Sequence, residues 1–390
     1  MYKYIIKPIL FFLTPDFTHT LIVACGRIVQ TIPPMRWTIR KMWRRDDSVL
    51  QQDIHGIEFL NPVGLSAGFD KNVQLLPLME DVGFGFASGG SVTLEPRQGN
   101  PRPWFHRLPN TKSVVVFAGM PNKGLAVISK YIARNRHRVK STPSVISVAA
   151  IPNKTTKDKL CGEVPLPDIV NDVKRTTEYI IKHNLADIVE INISCPNAGK
   201  EPFIEPKSLE MLFKALDKIP RDVPFWVKMP HLYNIKQFDA LLKTIIKHNI
   251  QGVTVANLVK DRSRVDVKDP LTDDIRGGLS GEPTRQHSLE LISHAYKNYG
   301  DKLTIVGVGG IFSAKDAYDK IKAGASLVGL ITGLFFEGPQ LIGRINKELA
   351  ELVRTDGFSN ISEAIGVDVK LTKKVKKVPK KSCKNNPATV

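Results

Sequence analysis

The sequence predicts an α/β protein, a (β/α)8 TIM barrel with a small N-terminal helical extension that associates with membranes. Three observations carry that expectation. From Asn61 onward, eight apolar stretches of strand character alternate with segments of helical period. Strands apolar on both faces and separated by helices belong to a parallel sheet that is covered on both sides, and eight such units suggest a closed barrel rather than an open doubly wound sheet. The C-terminal ends of the stretches collect glycines, lysines and amides, which is where a barrel keeps its active site. Finally, 390 residues of 42% apolar content suffice for one large barrel or two ordinary domains and exclude a disordered chain.

The order of elements begins with residues 1–45, read as an amphipathic helix pair. Residues 2–13 are strongly apolar but carry Lys3 and Lys7, and Thr14-Pro15-Asp16 supplies a cap and a first-turn proline for a second helix. Phe17, Leu21, Ala24, Cys25 and Ile28 share one face of it, and Pro33-Pro34 ends it. Neither helix reaches the roughly 20 apolar residues needed to span a bilayer. No small-residue cleavage site precedes Pro15, which disfavours a signal peptide. Two readings stay open: a pair that covers the barrel, or a hairpin lying in one leaflet with its basic residues at the headgroups.

The barrel is assigned to residues 46–355, with strands over 62–68, 84–93, 144–150, 188–194, 224–229, 252–257, 303–310 and 326–333. The fourth ends in Glu190-Ile191-Asn192-Ile193-Ser194-Cys195-Pro196-Asn197, an apolar run that breaks abruptly into hydrogen-bonding groups and a thiol. An apolar core has no use for so many polar groups in so short a run, so Cys195 is a candidate base or nucleophile; a buried, inert cysteine is the alternative. The other strand ends read Ala67-Gly68-Phe69-Asp70-Lys71, Gly89-Gly90-Ser91, Lys228, Asn257, Gly309-Gly310 and Thr332-Gly333. Glycines after the seventh and eighth strands leave backbone N–H groups unobstructed, as phosphate binding requires, although tight turns have the same composition. Lys228 follows an apolar run, so its ammonium needs a partner at the barrel mouth, either a carboxylate or a bound anion such as a reduced flavin.

Charge is concentrated at the two ends. The chain carries +18 overall; residues 1–45 hold eight Lys/Arg against one acid, and residues 369–390 hold eight Lys and no acid. The body is therefore nearly neutral, unlike a nucleic-acid enzyme, whose basic surface lies on the folded body. Residues 356–390 read as a basic, disordered tail, either merely solvated or drawn to a membrane surface. The four cysteines (Cys25, Cys161, Cys195 and Cys383) are scattered, which argues for a reducing compartment and against a structural metal.

Several long motifs, in order, resemble the dihydroorotate dehydrogenase family. They are Asn61-Pro62-Val63-Gly64-Leu65-Ser66-Ala67-Gly68-Phe69-Asp70-Lys71, then Gly99-Asn100-Pro101-Arg102-Pro103 with Arg107-Leu108-Pro109, residues 192–197, Gly277-Gly278-Leu279-Ser280-Gly281-Glu282-Pro283, and residues 305–311 with Ala323-Gly324-Ala325-Ser326-Leu327-Val328. Pro15 and His19, in a Pro-x-x-x-His arrangement, resemble the membrane-associated, quinone-reducing class 2 branch. The resemblance implies a barrel holding FMN that oxidises (S)-dihydroorotate to orotate in pyrimidine biosynthesis, with ubiquinone or menaquinone reoxidising the flavin beneath the N-terminal helices. By motif, Cys195 takes the base position, and Lys71, Asn122, Asn192, Asn197 and Asn257 meet the substrate. Ala67, Lys71, Gly90, Ser91, Asn192, Lys228, Gly281, Gly309, Gly310, Thr332 and Gly333 hold FMN, while His19 and Arg107 line the quinone entrance.

Departures from the family pattern accompany these matches. The class 2 branch usually has serine as base, whereas Cys195 is the class 1 choice, and a thiol of pKa near 8.5 is the better base at neutral pH. The family's Asn-Arg-x-Gly-Phe-Asn is Val116-Phe117-Ala118-Gly119-Met120-Pro121 here, followed by Asn122; its flavin-side Asn is Ala149; Asn-Thr becomes Asn257-Leu258, and Tyr-Thr becomes Ile331-Thr332. Each lost polar contact costs about 1–3 kcal/mol if its partner stays unpaired. Three readings follow: a working quinone-linked enzyme with a diverged pocket, a flavin barrel acting on a more apolar substrate, or a catalytically weak membrane-bound paralogue. Because the apolar segment begins almost at Met1, with no Arg-rich presequence, peripheral attachment to the cytoplasmic face of a bacterial membrane is expected rather than the mitochondrial inner membrane.

Overall fold

The computed structural model describes residues 2–149, 153–156, 159–194 and 201–369. Eight parallel strands, β1 (Val63–Leu65), β2 (Phe86–Val92), β3 (Ser144–Ala149), β4 (Ile188–Asn192), β5 (Phe225–Lys228), β6 (Gly252–Val255), β7 (Thr304–Val308) and β8 (Leu327–Leu330), close a barrel in chain order, with β8 returning to β1. Every predicted strand contains one of them. The predicted stretches run longer because their C-terminal residues leave the ladder and form the rim of the barrel.

Side chains alternate across a strand with period two, and the inward rows change character from bottom to top. Phe86, Val145, Ile188, Trp226, Val306 and Leu327 form one buried apolar cluster, closed from below by Phe59 on an antiparallel hairpin, Gln52–Ile54 with Ile57–Phe59. Gly64 makes room for this layer, since a Cβ there would lie 2.2 Å from the Phe86 ring. Two residues further up, the same rows read Ser88, Ser147, Glu190, Lys228 and Thr254, all buried. The polar half of the barrel therefore faces its C-terminal rim. Outside, amphipathic helices cover the strands; Leu341–Thr355, for example, buries Leu341, Ile345, Leu349 and Val353 along one stripe.

Two further sheets interrupt the βα alternation. Asn153–Thr156 pairs with Lys159–Glu163, and Phe105–Leu108, Ser113–Val116 and Gly278–Gly281 form a three-stranded antiparallel sheet. The sequence reading missed both, including the three-stranded sheet that roofs the cavity. Its alternation is nonetheless visible in Ser113–Val116: Val115 joins an apolar cluster on one face, while Val114 and Val116 line the cavity on the other.

The N-terminal extension is larger than the expected pair. After a π-type turn over Tyr2–Ile6 come α1 (Lys7–Phe12), α2 (Pro15–Val29) and a third helix, α3 (Pro33–Trp43). Pro33-Pro34 ends α2 but also begins α3, because proline suits the first turn, where its missing N–H has no helical partner. Helix α2 turns Asp16, Thr18 and Gly26 toward the barrel, and the Asp16 carboxylate accepts from the Trp104 amide at 3.1 Å. The face that carries Phe17, Leu21, Cys25 and Ile28 is exposed, as are Phe12 and Trp37. The apolar face of α2 is thus not the one covering the barrel. Helix α3 is fixed by Arg36 and Arg40 on the fully buried Asp81. Among the described residues no single helix is long and apolar enough to cross a membrane; Tyr2–Phe12 and α2 pass that test only as a pair bent by 120°. At the other end the fold continues beyond 355: Ile361 and Ala364 are fully buried, and the Gly366 amide donates to Ile321 O.

Candidate active site

A cavity opens at the C-terminal rim beneath the three-stranded sheet. Of the sequence-predicted residues, it gathers His19, Ala67, Lys71, Gly90, Ser91, Asn192, Lys228, Asn257, Gly281, Gly309, Gly310, Thr332 and Gly333 along its wall. Cys195 and Asn197 lie outside the described residues. Asn122 does not line the cavity. It is buried in the loop after β2, where its amide donates to Thr93 Oγ1 (2.9 Å) and Met120 O (3.0 Å) and accepts from the Gly124 amide (2.8 Å). The resemblance made it a substrate ligand, whereas here it holds the loop together.

A belt of side-chain hydrogen bonds runs across the rim. Ser91 Oγ lies 3.1 Å from Ser147 Oγ and accepts from Asn192 Nδ2 at 2.9 Å; Asn192 Oδ1 accepts from the Ser194 amide, and Ser194 Oγ donates to Lys228 O at 2.9 Å. Asn257 Nδ2 donates to Ser194 O at 2.6 Å and to Ser194 Oγ at 3.0 Å. Residues from β2 through β6 thus pin the backbone up to Ser194, the position before Cys195. The sequence reading gave Ser147 no role and treated Asn257 only as a ligand; its amide already has partners in the chain.

The wall of the cavity is cationic. Lys228 is buried, with Nζ 3.4 Å from Ala67 O, and Lys71 Nζ donates to Gly68 O at 2.8 Å and lies 4.8 Å from the Phe105 ring centre. Burial lowers the Lys71 pKa to about 8, partly offset by Asp70 and Asp16. Among the described residues no carboxylate lines the cavity. Glu190, two residues below Asn192, is engaged with the Thr254 hydroxyl at 2.7 Å. Apolar groups complete the wall, including Val116, Met120, Leu258 and Ile331. Such a lining pairs two ammonium groups with apolar surface.

A second cavity adjoins the first and shares His19, Phe105, Val114 and Phe335 with it; Tyr2, Phe11 and Arg107 line its far side. His19 Nε2 is 2.8 Å from Phe69 O, and a carbonyl can only accept, so Nε2 carries the proton. Burial, together with Lys71, depresses the His19 pKa to about 3, which keeps the ring neutral. Arg107 is not a free ligand for an entering molecule. It donates to Phe11 O (3.0 Å), Leu13 O (2.9 Å) and Thr18 Oγ1 (2.9 Å), clamping the turn between α1 and α2.

A parallel eight-stranded barrel with a cationic, glycine-edged cavity at its C-terminal rim defines a TIM-barrel enzyme site for an anionic ligand. Comparison with known proteins narrows this class. The family model for dihydroorotate dehydrogenase matches residues 49–353. The protein named dihydroorotate dehydrogenase (quinone) in Sulfurimonas denitrificans is 35% identical over 94% of this chain and 98% of its own length; that of Deinococcus deserti is 34% identical over 94% and 100%. Among solved structures, the ligand-free DHODH of Eimeria tenella superposes with a TM-score of 0.74 at 25% identity, covering 91% of this chain and 99% of its own. The chain belongs to the dihydroorotate dehydrogenase family.

Proposed function

We propose that this protein is a quinone-dependent dihydroorotate dehydrogenase, a CH–CH oxidoreductase that converts (S)-dihydroorotate to orotate in de novo pyrimidine biosynthesis, with FMN as its cofactor. The observation that carries the reading is the single cavity in which Lys71, Lys228, Asn192 and Asn257 meet the glycine turns after β7 and β8, in a chain of this family. The residues fit FMN. Gly309, Gly310 and Gly333 bring bare backbone to the cavity wall, Ser66 Oγ there is buried without a partner, and Thr332 Oγ1 stands 2.9 Å from Ser280 Oγ beside them. When bound, FMN supplies hydride acceptance from the substrate and electron return to a quinone.

The chain's own residues then divide the work. Lys71 and Lys228 offset negative charge on the ligands. Gly309, Gly310, Thr332 and Gly333 receive the phosphate, while Ala67, Gly90, Ser91, Asn192 and Gly281 border the rest of the flavin. Cys195 takes the proton from C5 of the substrate, next to the Ser194 backbone that the Asn192 and Asn257 side chains hold in place, and Asn197 meets the substrate. Ubiquinone or menaquinone approaches through the second cavity past His19, and the Arg107 clamp keeps its roof closed. The exposed face of α2, with Phe12 and Trp37, lies in the surface of a membrane, flanked by basic residues of the extension; a bacterial cytoplasmic membrane is the expected location.

The purified protein should be yellow, and orotate should perturb its flavin absorption. Anaerobic dihydroorotate should bleach the flavin band, and a quinone should restore it. A colourless protein that takes up no FMN refutes the cofactor; a flavin that dihydroorotate leaves oxidised refutes the substrate.

A further inference from the structure

Behind the Gly309-Gly310 turn, on the side away from the cavity, lies a cationic cluster that the catalytic cycle does not use. Lys320, on the helix Ala314–Lys322, has no accessible surface at all. Its Nζ donates to Ser288 Oγ at 3.0 Å, and Ser288 Oγ donates in turn to Val308 O at 2.5 Å. Two residues on, Arg285 Nε donates to Gly310 O at 2.8 Å. The turn is pressed against the start of the helix Arg285–Tyr299, which carries Ser288, because a Cβ at Gly309 would lie 2.6 Å from Oγ1 of its N-cap residue Thr284.

Peptide planarity converts these contacts into an orientation. In a trans peptide the C=O of one residue and the N–H of the next point in opposite directions. With Val308 O and Gly310 O drawn outward to Ser288 and Arg285, the N–H groups of Gly309 and Ile311 turn the opposite way, Gly309 extending the ladder toward Gly329 on β8, and all three residues line the cavity. The cluster holds the turn in its anion-receiving form.

Its charge is uncompensated. Among the described residues no carboxylate lies within ion-pair distance of Lys320. The charged groups nearest to it are already engaged: Asp316 with Arg285 (3.2 Å) and Asp319 with Lys315 (2.6 Å), while His231, facing it from the loop after β5, is kept neutral by burial. A buried, unpaired ammonium is costly, and burial draws the Lys320 pKa down to about 7. An anion held by the turn is the missing counter-charge.

We infer that Lys320, acting through Ser288 and together with Arg285, is a positioning residue for the phosphate end of the flavin: it orients the turn after β7 and supplies the charge that a phosphate there balances, without touching the ligand. This rests on the reading that FMN phosphate occupies that turn. Two consequences follow. The preference for FMN over riboflavin depends on Lys320, and FMN binding is tightest while Lys320 is protonated, weakening as pH rises above about 7. Lys71, across the cavity, acts on the isoalloxazine that both flavins share and so cancels in their ratio.

The test is fluorescence titration of the flavin-stripped, full-length protein with FMN and with riboflavin from pH 6 to 9, in a buffer free of phosphate. Each unit by which bound phosphate raises the Lys320 pKa is a factor of about ten in affinity. Lys320→Met should therefore weaken FMN about tenfold or more at pH 6.5, leave riboflavin within about twofold, and flatten the pH dependence of the ratio. Ser288→Ala, which keeps the ammonium but cuts its link to Val308, should lower the ratio in the same direction and by less, and it serves if Lys320→Met does not fold. An unchanged ratio in either folded variant, or equal loss of both flavins, overturns the inference. A wild-type protein that binds FMN no better than riboflavin overturns the phosphate assignment itself and this inference with it.

Discussion

Asn257→Ala tests whether the rim belt positions the catalytic loop. Asn257 Nδ2 donates to the carbonyl of Ser194 and to its hydroxyl, and Oδ1 accepts from the Leu258 amide at 2.9 Å. Truncation removes all three bonds. Ser194 is almost fully buried, so its carbonyl finds no water in exchange. Leaving one buried acceptor and one half-buried amide unpaired costs about 1–3 kcal/mol each, and partial relaxation brings the expected loss of stability to about 2–4 kcal/mol. The same change frees the backbone next to Cys195, and a misplacement of about 1 Å at a reacting group is worth about a hundredfold in rate. Two assays separate the effects: urea unfolding with FMN bound, and anaerobic stopped-flow reduction of the flavin by saturating dihydroorotate. The expected result is a lower midpoint and slower reduction at saturation, with FMN still bound. If only the substrate concentration at half-maximal rate changes while the saturated rate and stability persist, Asn257 is a simple substrate ligand and the belt has no positioning role.

Other consequences are equally direct. Cys195→Ala should keep FMN but slow its reduction by about 10²–10⁴, whereas Cys195→Ser should retain part of the activity with its pH optimum moved upward; unchanged reduction in the alanine variant would remove Cys195 as the base. Lys71, with its pKa lowered to about 8, holds its charge below that pH and loses it above, so orotate affinity should fall as pH climbs past 8 and Lys71→Met should flatten the profile, read by flavin absorbance titration. Val116 and Leu258 line the cavity with apolar surface, so Val116→Asn with Leu258→Thr should tighten orotate; tight binding by the unaltered protein would mean other groups already satisfy the pyrimidine.

The barrel was legible because its strands are buried on both faces and read as unbroken apolar runs, a signal that survives without tertiary information. The three-stranded sheet was not. Its strands are only four residues long, and the third, Gly278–Gly281, joins some 160 positions beyond Ser113–Val116. Val114-Val115-Val116 and the Pro109-Asn110 turn were the available signs. Helix α3 was hidden by Pro33-Pro34, which reads as a stop from one side and as a start from the other.

Within the site, residue type alone does not say which way a polar group is turned. Asn122, Asn192 and Asn257 stand in similar motifs, yet Asn122 folds into its own loop while the other two reach the cavity. Arg107 shows the same limit from the other direction: a lone arginine near an apolar channel reads as a ligand, but its donors already meet three acceptors at the α1–α2 turn. What separates Asn122 from the other two is place rather than satisfaction: all three amides find partners in the chain, but only those of Asn192 and Asn257 do so on the cavity wall. Arg107 likewise spends its bonds on the α1–α2 turn. Lys228, whose three donors meet one long contact at 3.4 Å, and Ser66 Oγ, buried at the wall without a partner, are groups of this site that a ligand has to satisfy.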